Sequence, residues 1–239
     1  MNIHNTVPDV KIKKARTMQK LRWLIGIGMA MTGLSAAALA AVDFSGPWEM
    51  AADVKSLKTE NDKPPPLTAA GKKMQAENLK KGDPAQQCLP LGVPRIMLQK
   101  NYVFNFVVGK DVGGMFFEWN RQPRPIWIGN THFDNIGPTY LGQTVAKWEG
   151  NTFVLDTNGF NDVTWLDDSG LPHTDELHVV ERISLKDEST LLDRMTLTDP
   201  KVFSQSWTTV LTFKKRPGYI VKEDWCVGRL KGAQAAAGK

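Results

Sequence analysis

From residue 100 onward the chain is a succession of short β-prone runs, each closed by a turn signal, and no other feature constrains the fold as tightly. Tyr102–Val108 ends at Gly109-Lys110-Asp111, Met115–Trp119 ends near Asn120, and Pro125–Ile128 ends at Gly129-Asn130. Thr144–Trp148 reaches Glu149-Gly150-Asn151 and returns as Thr152–Thr157, the pattern of a β-hairpin. Leu177–Leu185, Leu191–Thr198, Trp207–Lys214 and Tyr219–Trp225 continue the series, and Asp43–Met50 supplies an earlier strand. One segment reads as a helix, residues 68–81, with Thr68 as its cap and Gly82-Asp83-Pro84 as its stop. The lysines of that helix form a solvated face. So many strands would leave exposed edges unless the sheet closed on itself. The expected fold is therefore an all-β antiparallel meander of roughly ten strands closing into a barrel, one domain over residues 41–239.

The charge distribution narrows the partners. The net charge is +5, but Lys11, Lys13, Lys14, Arg16, Lys20 and Arg22 stand against Asp9 alone in residues 1–40, so the whole excess lies there. The remainder is electrically balanced and has no bias toward a polyanion, which disfavours nucleic acid as a partner. Lys20 and Arg22 precede an apolar run from Trp23 to Leu34, and Ala38-Leu39-Ala40 follows as an A-x-A cleavage site. Residues 1–40 thus read as a signal peptide, with Met18 as an alternative start. The apolar run is short for a membrane span and rich in Gly, Ala and Ser. A periplasmic or secreted protein, free of the membrane after cleavage, is expected. Cys88 and Cys226 are the two cysteines. In an oxidising compartment a lone pair is most simply a disulfide.

Two resemblances bear on the fold. Gly46-Pro47-Trp48 on the first strand is similar to the G-x-W signature of lipocalin-type barrels, whose Trp plugs one end. Cys88-Leu89-Pro90-Leu91-Gly92-Val93-Pro94-Arg95, together with the run from Trp148 to Arg182, resembles a family of exported, uncharacterised, lipocalin-like bacterial proteins. That resemblance implies a lipocalin/calycin-like barrel and is nearly silent on function. Many relatives carry His where this chain has Gln143, and an acidic residue near Val227-Gly228.

The connection from Asn158 to Glu176 is too long for a hairpin turn and gathers carboxylates, an aromatic ring and a histidine. Long loops at a barrel mouth are usual places for binding and catalysis. His173 with Asp162, Asp167 or Asp168 is a candidate base–orienter pair. The bland alternative is that these aspartates make local turn hydrogen bonds. Candidate ligand contacts are Trp165 and Asn161 on the loop, with Arg95, Arg124, Trp119, His132 and His178 elsewhere. An inward arginine can hold a carboxylate or phenolate, or pair with Glu118, Asp156 or Glu181. The histidine spacings match no zinc signature. Nucleotide, flavin and haem motifs are missing from the sequence, so no cofactor or metal is expected.

Eight tryptophans in a neutral barrel suit a binder of a small apolar or aromatic molecule held in the barrel cavity. A cofactor-independent isomerase, lyase or hydrolase built on the 158–176 loop is the alternative, and an envelope interaction protein the third.

Overall fold

Inward and outward residues alternate along every strand, and the strands close a ring. A computed structural model describes residues 42–229; the signal-peptide reading of residues 1–40 lies outside the described residues. Nine strands follow one another around the barrel: β1 (Gly46–Met50), β2 (Val103–Val108), β3 (Val112–Phe117), β4 (Pro123–Ile128), β5 (Gln143–Glu149), β6 (Thr152–Asn158), β7 (His178–Asp187), β8 (Thr190–Thr198) and β9 (Trp207–Lys215). β1 pairs with both β2 and β9, which closes the sheet.

Two expectations need correction. The segment Tyr219–Trp225 is not a tenth strand: β9 already has β8 on one side and β1 on the other, so no edge is open to receive it. It runs instead as an irregular tail held by Glu118, which accepts from the Tyr219 hydroxyl (3.0 Å) and the Lys222 backbone N–H (2.8 Å). Cys226 follows, bonded to Cys88, with the Cα atoms 5.4 Å apart. The meander is also not antiparallel throughout. β4 and β5 run parallel at Ile126–Thr144, Trp127–Val145 and Ile128–Ala146, and residues 129–142 form the crossover that a parallel pair needs. That pairing begins only at Ile126 because Pro123 and Pro125, just before it, have no N–H to donate.

The helix α1 (Ala69–Lys81) forms where its cap and stop predict. Thr68 Oγ1 accepts from Gly71 N at 2.9 Å, and Gly82 N closes the last turn on Asn78 O. Gly71 is required by packing, since a Cβ there would lie 2.4 Å from the Val202 carbonyl oxygen. The lysines face solvent. Gln75 and Asn78 face the other way and donate to the carbonyls of Ser169 and Gly170, so the helix clamps the 158–176 connection.

Side chains fill the barrel interior. Trp48, Phe106, Phe153, Leu155, Ile183 and Phe213 are all fully buried there. Trp48 donates its indole N–H to Phe44 O (2.8 Å), and Lys215 Nζ stands 5.4 Å above its ring, a cation–π contact across β1 and β9. One polar group interrupts this apolar filling, an arginine–carboxylate cluster centred on Arg124.

Candidate functional site

The 158–176 connection is packed structure. His173 is buried, with 1% exposed. Its Nδ1–H donates to Thr174 O (3.1 Å), which leaves Nε2 to accept from the Thr164 hydroxyl (2.7 Å). Burial pushes its pKa down, against the pull of the Thr174 carbonyl and the charges of Asp199 and Asp162. Both ring nitrogens are satisfied, and the Phe160 ring meets the imidazole edge-on at 6.1 Å.

None of the three aspartates proposed as its partner bonds to it. Asp162 is exposed. Asp167 is buried and accepts from Leu57 N (2.7 Å), Ser169 N (2.8 Å) and Ser169 Oγ (2.6 Å), which fixes the turn and ties it to the first irregular segment. Asp168 pairs with Arg95 (2.9 Å). Arg95 also pairs with Asp83 and covers the Trp165 ring at 5.2 Å. Asn161 Oδ1 accepts from Val163 N (3.2 Å). Arg95, Trp165 and Asn161 therefore hold the loop down, the local role that aspartates and a paired arginine take in loops. Trp119 meets Tyr102 edge-on at 5.0 Å.

Arg124 points into the barrel and is 1% exposed. Its guanidinium donates to both oxygens of Glu181 (Nη1 to Oε1 at 2.9 Å), to Thr157 Oγ1 (3.0 Å) and to Thr144 Oγ1 (3.2 Å). The Arg124–Glu181 pair is one of the alternatives that strand alternation allows. Asp193, on the neighbouring strand, has neither oxygen paired with a donor. One guanidinium thus stands near two buried carboxyl groups. Burial first, and then the charge of Glu181, push Asp193 well above the carboxylate range against the pull of Arg124.

A second polar cluster lies on the outer wall. On β6 and β7 the outward positions are Val154 and Asp156, and His178, Val180 and Arg182; the register sets Asp156 beside Val180 and Val154 beside Arg182. Asp156 Oδ1 receives both His178 Nε2 (2.8 Å) and His132 Nε2 (2.9 Å), the latter brought in by the β4–β5 crossover. His132 Nδ1 meets Gln143 Oε1 at 3.2 Å, and that oxygen also accepts from Phe133 N (2.5 Å). Both ring nitrogens of His132 thus face oxygen acceptors. Burial pushes the Asp156 carboxyl up, but the hydrogen bonds from the two histidines outweigh it and hold it below its ordinary value.

Asp156 borders an open cleft of about 450 Å³. Val145, Val154 and Val180 supply an apolar floor; Lys147, Glu149 and Arg182 stand at the other end. There Glu149 takes Lys147 at 2.8 Å and Arg182 at 2.6 Å, so two cations share one carboxylate. The sequence singles out His132 and His178 as ligand contacts, and Asp156 only as a partner for an arginine. The period-two alternation puts Asp156 and His178 on outward faces, while their convergence depends on the β6–β7 register.

The class the fold defines is a closed nine-stranded barrel with one short helix and a disulfide. No family model and no curated protein matches the chain. Among solved structures, a mutant of the fluorescent protein UnaG aligns with 72% of this chain and 96% of that one, at 12% identity and a TM-score of 0.35. Among the described residues no helix is long and apolar enough to cross a membrane.

Proposed function

We propose that this chain is an exported binding protein for a small organic molecule with an apolar or aromatic body and an anionic end, taken up in the outer-wall cleft. The observation that carries this reading is the cleft itself. Three valines form its floor, and the excess positive charge of Lys147 and Arg182 over Glu149 sits at one end. Small-molecule sites combine an apolar lining with a few placed polar groups in this way. The barrel lumen, the place the sequence suggests for the ligand, is occupied by Trp48, Phe106, Phe153, Ile183 and Phe213, so the wall is the better place. The Cys88–Cys226 disulfide supports a periplasmic or secreted location. The likeness of Gly46-Pro47-Trp48 to the lipocalin signature, with Trp48 buried under Lys215, supports the lipocalin-like family reading.

The test is a fluorescence titration with 1-anilinonaphthalene-8-sulfonate, an aromatic anion. Saturable one-to-one binding is expected, weakened at least tenfold by Val154→Lys, which fills the floor, and by Arg182→Glu, which reverses the charge at the cationic end. Saturable binding that ignores both substitutions would place the ligand elsewhere, and an absence of saturable binding would overturn the reading.

A further inference from the structure

Asp156 Oδ1 takes both imidazoles, and the two histidines are not equivalent. His132 has both ring nitrogens committed, to Asp156 and to Gln143. His178 gives Nε2–H to Asp156, and its Nδ1 has no partner among the described residues. Because Nε2 holds the hydrogen, Nδ1 carries the lone pair. His178 is 43% exposed and Asp156 44%, so water reaches both, and Asp156 borders the cleft. A carboxylate that fixes the tautomer of an imidazole whose other nitrogen is bare is the base–orienter arrangement of general-base catalysis.

We propose that His178, oriented by Asp156, is a general base that activates water to hydrolyse an ester whose anionic end rests against Lys147 and Arg182. The inference rests on the cleft reading above, and names its substrate class. In the step, His178 Nδ1 takes a proton from water as the water oxygen bonds to the ester carbonyl carbon, and the carbonyl π pair moves to its oxygen. Collapse of that intermediate re-forms the carbonyl and breaks the bond to the alcohol oxygen. The imidazolium returns the proton to that oxygen, or to bulk water when the leaving group is stable as an anion. Ester and water become acid and alcohol with no other reactant. His132 is a positioning residue, holding the same carboxylate oxygen from the β4–β5 crossover.

The experiment uses the disulfide-bonded exported chain with the 4-nitrophenyl monoester of adipic acid, and 4-nitrophenyl acetate as the neutral comparison. Saturable release of nitrophenolate is expected from the anionic ester. His178→Ala should lower kcat by about 100-fold or more, the range of a general base, with saturable anilinonaphthalene sulfonate binding retained because the valine floor and the cationic end are intact. His178→Gln, which keeps polarity on the same half-exposed strand position, should lower kcat equally, so a folding defect in the alanine variant cannot carry the result. Asp156→Asn should lower kcat and displace the pH–rate profile, whereas Arg182→Ala should raise KM for the anionic ester alone. If the dye binds but the ester is cleaved no faster than by free imidazole at equal concentration, the catalytic inference fails and the cleft reading stands. Catalysis by His178 is equally overturned if His178→Gln retains the full rate. If neither dye nor ester saturates, the cleft reading itself fails.

Discussion

Replacing Asp193 by Asn should make the protein more stable as pH rises, by an amount the barrel interior sets. In the folded chain the Asp193 carboxyl sits well above its ordinary range, because it is buried and faces the charge of Glu181, against the pull of Arg124. Between the unfolded and the folded titrations, the folded chain holds a proton that the unfolded chain has released. Stability from this group is therefore complete at acid pH and is lost as pH rises, until the folded carboxyl titrates. Each pH unit in that interval costs about 1.4 kcal/mol. Asn has the same shape, holds no titrating proton and can donate its amide hydrogen to Glu181. The stability of D193N minus that of the natural chain should climb by about 1.4 kcal/mol for each pH unit between the two titrations. Urea unfolding at pH 5, 6 and 7, with the disulfide intact and m unchanged, measures it. His173 adds a slope of opposite sign, since burial lowers its pKa and the unfolded chain gains a proton below about pH 6.5. That contribution is common to both proteins and cancels in the difference. A difference that stays flat with pH would mean that Asp193 is ionised in the folded barrel, and the charge argument would be wrong.

Glu181→Leu removes both oxygens that accept from Arg124 and should cost about 3–5 kcal/mol, whereas Glu181→Gln should cost less because its amide oxygen still accepts from the guanidinium; urea midpoints of the two variants decide this. Asp167→Ala removes the acceptor of Leu57 N and Ser169 N and should cost about 2–4 kcal/mol, with hydrogen exchange rising at Leu57 before it rises in the strands. Reducing the disulfide opens a loop of sequence separation 138 and should cost about 5 kcal/mol by chain entropy, read as a fall in the urea midpoint with reductant. His173→Gln should flatten the acid limb of the stability curve below pH 6.5 without changing hydrolysis by the cleft. An equal loss of activity would return His173 to the site.

The barrel was legible because strand signals are local. Alternation with period two, turn residues such as Glu149-Gly150-Asn151, and the Thr68 cap act within a few residues of themselves, and each forms its element where expected. The Tyr219–Trp225 run carries the same local signal and yet is no strand, because whether an edge is open depends on closure by β1, a decision made across the whole chain. The loop aspartates misled for a related reason. Composition brings Asp162, Asp167, Asp168 and His173 into one segment, but nearness in sequence does not aim side chains. Asp167 turned to Leu57, Asp168 to Arg95, and His173 to Thr164.

By itself the sequence determined what short-range chemistry can specify: strand positions, one capped helix, a charge-balanced body after a basic N-terminal segment, and the cysteine pair with its expected bond. Tertiary structure alone decided which carboxylate meets which cation or imidazole. Arg124 with Glu181, and His132 with His178 on Asp156, are joined by strand register and by a parallel crossover, and neither is written in the spacing of the residues involved. The physical reason is distance. Hydrogen bonds and ion pairs act over a few ångströms of space, and only the closed sheet converts separations along the chain into separations of that size.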